Sequence, residues 1–313
     1  MTLGTDNRLR AMSFALAAVA FASTQDAIVK YISGSYPVYE TVFIRGVITL
    51  PVMAIWLKMT ANFSDLNTPL LKYILLRGFV LCGAYFCYIM AIAAMPMANA
   101  VSIYFTMPFF VAGFVGWTLG EHVPLYRWLA IAAGFTGVLI MVRPGAASFE
   151  PASIFALISA LGYALGQIMS RRLAQSVPPV VIATWQNVIY FGVAIVMGLV
   201  VQALGLEGSS SNSLSFLTHP VLMPNFRDGM LLTIMGLLSA VVMMLYLNAY
   251  KSAEANFVAP FEYTAMFWAV LFGVTVFGDF PDQWTWIGAA IVVGAGLYML
   301  WQDRKRKPAG PIS

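Results

Sequence analysis

The chain carries two copies of one pattern, and each copy reads as five apolar spans. Phe14-Ala15-Leu16, Asp26, Lys30, Pro37 and Arg45 are answered 141 positions later by Phe155-Ala156-Leu157, Gln167, Arg171, Pro178 and Gln186. Gly120-Glu121, followed by Trp128, is answered by Gly278-Asp279 and Trp286 at the same spacing. An odd number of spans per copy turns the second copy upside down in the bilayer. Inverted repeats of this kind can build two related gates around one shared site.

Membrane residence follows from composition. Of 313 residues, 60% are hydrophobic and only 10% charged, against about 25% charged residues in a soluble domain. Such a chain cannot cover its surface with polar groups in water. The apolar runs predict an all-α membrane protein with ten transmembrane helices, arranged as two inverted five-helix repeats. The spans fall at roughly 11–33, 37–58, 71–93, 97–118, 125–142, 152–172, 179–203, 229–250, 257–278 and 283–301, each long enough to cross. Residues 1–10 read as a cytoplasmic N-terminus, 11–143 as the first repeat, 144–151 as a connecting loop, 152–301 as the second repeat and 302–313 as a basic cytoplasmic tail. The first apolar stretch lacks a small-residue cleavage site, so it is expected to remain as a span.

Orientation is set by lysine and arginine. With the N-terminus inside, thirteen of them fall at inner ends and three (Lys30, Arg143, Arg227) at outer ends, while Arg45 lies within a span. Both termini are therefore expected in the cytoplasm. The net charge of +4 reflects this topology and attraction to anionic lipid heads. It does not point to nucleic acid.

Metal and nucleophile chemistry find little support. Cys82 and Cys87 share one apolar segment and read as core residues. His122 and His219 lie in separate links, with no zinc spacing. No phosphate loop or nucleophile elbow is present, and no cofactor is expected.

Ionisable groups inside spans are costly and usually face the protein interior. Asp26, Lys30, Glu40, Arg45 and Glu262 are such groups, with Gln167, Gln186, Asn187 and Asn248 as neutral companions. Asp26 and Lys30 are four apart on one helical face, where they can pair. Glu40 could reach Lys30. Arg45 lies about two turns deep, and Gln186 holds the equivalent place in the second half. Pro260, just before Glu262, and Pro108 can bend their helices and expose carbonyls. Glu121 and Asp279 end the fourth and ninth helices, where they read as caps for the helices that follow. Tyr85, Tyr104 and Tyr263 could wall a cavity and stack on a flat substrate. Trp56, Trp117, Trp128, Trp284, Trp286 and Trp301 fall at span ends as an interfacial belt. Small-residue runs at Gly134-Phe135-Thr136-Gly137 and from Gly288 to Gly296 allow close helix approach, within the chain or across a homodimer.

Several of these residues together resemble the drug/metabolite transporter superfamily, in particular its EamA-type carriers. They are Asp26-x-x-x-Lys30 ending the first helix, Glu40-Thr-Val-Phe-Ile-Arg45 opening the second, Ala98-Asn99-Ala100 before the fourth, Gly120-Glu121 with Trp128, and Arg143-Pro144 closing the first half. The resemblance covers nearly the whole chain and is better in the first half. Asp279 stands where the pattern has glutamate, and Glu262 has no assigned place in it. The resemblance implies a central cavity lined by the first, third, fourth, sixth, eighth and ninth helices, and a carrier that hydrolyses no ATP. The stretch from Tyr36 to Arg45, with Leu50-Pro51, looks most like a subgroup containing bacterial riboflavin importers and S-adenosylmethionine carriers.

The resulting expectation is a secondary transporter of the bacterial inner membrane, moving a small organic metabolite by alternating access. Riboflavin uptake comes first. S-adenosylmethionine comes second, and amino acids and their derivatives third, by import or export. A coupling proton or ion would be bound at the acids. An intramembrane lipid-modifying enzyme is the rival from another class, although the spans lack convergent nucleophiles. A non-transporting membrane scaffold or sensor is a second rival, with little extramembrane domain with which to signal.

Overall fold

The computed structural model describes residues 5–119, 124–143, 150–205, 216, 219–252 and 255–305. Among these, twelve α-helices build the ten spans that are long and apolar enough to cross a membrane. They are α1 Thr5–Ile32, α2 Val38–Thr60, α3 Leu71–Ala94, α4 Met97–Tyr104, α5 Met107–Leu119, α6 Leu125–Val142, α7 Ala152–Leu173, α8 Pro179–Leu204, α9 Phe226–Ser252, α10 Ala255–Glu262, α11 Ala265–Phe277 and α12 Gln283–Lys305. Helices α4 and α5 form the fourth span in two pieces, and α10 and α11 the ninth. Prolines mark the turns: Pro37, Pro96, Pro124 and Pro178 each immediately precede a helix, where a missing N–H costs nothing.

The packing obeys the inverted repeat. α3 lies along α7 of the other half, and α1 lies along α9; the repeat relation exchanges these two pairs. The self-paired contacts are α2 with α8, α6 with α12, and the fourth span with the ninth, through α4 and α11. The halves are thus interleaved, and neither buries its first and third spans alone.

Glycine sets the close approaches. A Cβ on Gly288 would lie 2.5 Å from the carbonyl oxygen of Gly137, and one on Gly137 would lie 2.8 Å from that of Gly288. The small-residue runs are thus used here within the chain, between α6 and α12. Gly288→Val should lower stability by about 1–3 kcal/mol, because backbone must move. Thermal unfolding in detergent checks this, and an unchanged midpoint would contradict the packing.

Candidate functional site

The broken spans position the site. α4 and α10 each have 8 residues, and α5 and α11 each have 13. Eight residues rise about 12 Å within a hydrocarbon core of about 30 Å, so both breaks lie near mid-depth, approached from opposite faces. At each break a threonine N–H turns back to the carbonyl three residues earlier: Thr106 to Ile103 at 3.0 Å and Thr264 to Phe261 at 3.1 Å. Their hydroxyls donate to the same carbonyls, at 2.7 and 2.6 Å. Thr106 and Thr264 share the spacing of Glu121 and Asp279, a signal in the sequence that the proline argument overlooks. Pro108 is the second residue of α5. Pro260 lies inside α10, ahead of the break, so the ninth span bends past the proline, at the threonine. The rings of Phe105 and Tyr263, repeat equivalents, meet at 4.8 Å between the two breaks.

Around this point polar side chains from both halves gather. Tyr88 donates a 2.9 Å hydrogen bond to Asp26. Arg45 donates to the Tyr85 hydroxyl, with its guanidinium carbon 4.9 Å from the Tyr85 ring centre. Tyr85 stacks on Tyr190 at 5.1 Å. Tyr88 meets Tyr104 at 5.1 Å, and Tyr104 meets Tyr163 edge-on at 5.3 Å. Tyr250 donates to Glu262. Asp26, Arg45, Tyr85, Tyr104 and Glu262 are all half-buried. The arrangement offers tyrosine faces to a flat ring, carboxylates to a cationic group, and a guanidinium to an anionic one.

Several expected partnerships are replaced. Asp26 and Lys30 do not pair. Lys30 reaches across the bundle to Asp279 at 3.0 Å, donates to the Met95 carbonyl at 2.7 Å and lies 5.2 Å from the Phe277 ring centre. A carboxylate and a buried carbonyl together outweigh an i,i+4 pair worth about 0.2–0.5 kcal/mol. Glu40 is buried and accepts from the Leu222 N–H at 3.4 Å rather than from Lys30. Asp279 is not the cap of the tenth span. That role falls to Asp282, which accepts from the Thr285 N–H at 2.8 Å and pairs with Arg143 at 2.6 Å. Partial burial raises the Asp282 carboxyl, but the Thr285 bonds and Arg143 outweigh this and hold it below its ordinary value. Glu121 lies outside the described residues.

The neutral companions divide. Gln186 accepts from Arg77 at 3.0 Å and donates to the Tyr190 hydroxyl at 3.3 Å, so it joins the cluster. Asn187 is buried and donates to the carbonyl of Ala183 at 2.9 Å. Asn248 is exposed and donates to the carbonyl of Met244 at 2.8 Å. Gln167 is exposed. Tyr263 is buried, and its hydroxyl has no hydrogen-bond partner among the described residues. Tyr163, Tyr250 and Arg77 are members that sequence reasoning misses; for the tyrosines no spacing singles them out. Trp128, Trp284, Trp286 and Trp301 are exposed as a belt requires. Cys82 and Cys87 are free thiols.

Ten apolar spans in two inverted copies, with broken helices meeting at mid-depth among charges and tyrosines, define a multi-pass membrane protein of transporter architecture. The profile of the EamA-like transporter family matches residues 9–143 and 151–301. The chain belongs to this family. A riboflavin transporter of Rhizobium johnstonii is 30% identical over 224 residues, 71% of this chain and 68% of that protein. An S-adenosylmethionine uptake transporter of Rickettsia bellii is 24% identical over 294 residues, 93% of each chain. A pseudopaline exporter of Pseudomonas aeruginosa is 26% identical over 276 residues, 87% of this chain and 89% of that one. One solved crystal structure superposes with a TM-score of 0.64 at 19% identity, covering 94% of this chain and 98% of its own, and it shares the fold.

Proposed function

We propose that the chain is a secondary transporter that carries one small, flat-ringed organic metabolite by alternating access, with both termini in the cytoplasm of a bacterium and the spans in its inner membrane. The observation that carries this reading is the cluster of tyrosines between Asp26, Arg45 and Glu262, where the two broken spans meet. Riboflavin is the first substrate, because stacked tyrosines suit a flavin ring and a riboflavin transporter is among the relatives. S-adenosylmethionine is the second. One observation favours it: three ionisable side chains face the tyrosines, more than a neutral flavin can use. Its sulfonium and ammonium would meet Asp26 and Glu262, and its carboxylate Arg45. A proton bound at either acid would supply coupling.

Purified protein in liposomes tests the reading. Saturable uptake of labelled riboflavin is expected, with competition by unlabelled flavin. Uptake of S-adenosylmethionine alone would reverse the order of the two substrates. Absence of flux across a metabolite panel, with appearance of a modified lipid, would replace the transporter by an enzyme.

A further inference from the structure

Arg77 is a buried cation that the reading above leaves unused. It lies in the second turn of α3 and is only 9% exposed. Its Nε donates to Ser170 Oγ at 2.6 Å and its Nη1 to Gln186 Oε1 at 3.0 Å. Both partners are neutral, and among the described residues no carboxylate pairs with it. A guanidinium inside a span without a counter-charge is expensive. If the site needed only to pin α3 to α7 and α8, a neutral side chain would serve at lower cost.

The repeat shows what the charge matches. Arg45 is the eighth residue of α2, and Gln186 is the eighth residue of α8. The inverted relation therefore places Gln186 as far from one membrane face as Arg45 is from the other. Each bonds a tyrosine hydroxyl, Arg45 that of Tyr85 and Gln186 that of Tyr190. Those two tyrosines stack on one another at 5.1 Å. The second half lacks an arginine at the Arg45 position, and Arg77, docked on Gln186, restores one. Two guanidiniums thus bracket a tyrosine stack, one on the side of each membrane face.

We propose that Arg77 and Gln186 form a second anion-recognition position, the counterpart of Arg45. The substrate then carries a carboxylate or a similar anionic group, met by Arg45 from one face and by Arg77 from the other. This rests on the transporter reading and narrows its substrate class: it moves S-adenosylmethionine ahead of riboflavin, which has no anionic group for the second position to meet. A guanidinium forms paired, charge-assisted bonds to a carboxylate, and the Tyr85–Tyr190 faces would hold the attached ring during the transfer.

The experiment uses the full chain in liposomes as wild type, Arg77→Lys and Arg77→Gln, with thermal unfolding recorded on each preparation. The probes are labelled S-adenosylmethionine, labelled riboflavin and, as inhibitor, decarboxylated S-adenosylmethionine, which lacks only the anionic group. Arg77→Gln should raise the KM for S-adenosylmethionine roughly tenfold or more, the loss of one charge-assisted bond. Inhibition by the decarboxylated compound should stay within about twofold of wild type, since that ligand offers the guanidinium nothing to bind. Arg77→Lys should recover part of the loss. Equal weakening toward both ligands would make Arg77 a structural pin and overturn the proposal, as would no change toward either. Flux of riboflavin without binding or flux of S-adenosylmethionine would overturn the anion position and leave the transporter reading standing. No binding and no flux with any probe would remove both.

Discussion

Arg45→Ala should reduce flux by roughly 100-fold while the protein still folds, about 3 kcal/mol of lost binding or gating energy. A charge two turns inside a span is retained at a cost, and here its described partners are a tyrosine hydroxyl and a tyrosine face. Neither neutralises it, so the guanidinium stays available to a ligand at the point where both halves meet. Arg45→Lys keeps the charge but loses the planar fork and the fit to the Tyr85 ring, and should retain an intermediate rate. Tyr85→Phe separates two explanations. If Arg45 acts only by holding the tyrosine, Tyr85→Phe should be as damaging as Arg45→Ala. If Arg45 meets the substrate, Tyr85→Phe should cost far less. Liposome flux and thermal unfolding of the same preparations decide the matter, and normal flux in Arg45→Ala removes this residue from the route.

Span positions were legible in the sequence because the bilayer imposes one length and one polarity on every crossing helix, and the helix bounds agree with expectation to within a few residues at most ends. The cluster was legible in part: Asp26, Arg45, Gln186 and Glu262 stand out as polar groups where lipid permits few. Their partners were not legible. The i,i+4 rule sees one helix, so it joined Lys30 to Asp26, while the structure joins Lys30 to Asp279 from the other half. Arg77 was hidden for a related reason. Sorting lysine and arginine by membrane face assigns a side but says nothing of depth, and one further helical turn takes Arg77 from the interface into the interior. Proline removes a backbone donor, so the sequence predicts bends at Pro108 and Pro260. In the ninth span the bend instead follows a threonine hydroxyl that competes for the backbone carbonyl, a local effect with weak sequence statistics. The cap at Asp282 and not Asp279 shows the same limit: an acid beside a helix start has two uses, and Lys30 claims one of them.

Reversing the charge of one member of the Lys30–Asp279 pair should change transport more than a surface ion pair would lead one to expect. Exposed pairs contribute about 0–1 kcal/mol, but these side chains are only 12% and 30% exposed, and screening by salt is weaker for shielded charges. The pair ties the end of α1 to the link between α11 and α12. Two further ties close the same end of the bundle: Arg143 with Asp282, and Thr285 donating to Asn99 at 2.9 Å. Together they join the first, fourth and fifth spans to the start of the tenth, as a gate drawn from both halves must. Lys30→Asp alone sets two carboxylates against each other, and like charges so placed cost several kcal/mol. The closed form of this end should be lost, and flux should fall by roughly 100-fold or more, as a penalty of that size implies. Asp279→Lys alone should do the same with two cations. The double variant, Lys30→Asp with Asp279→Lys, restores the attraction in reverse and should regain much of the rate. A coupling energy near zero in this double-mutant cycle would mean that the two residues act independently, and that this end of the bundle is held by its other ties alone.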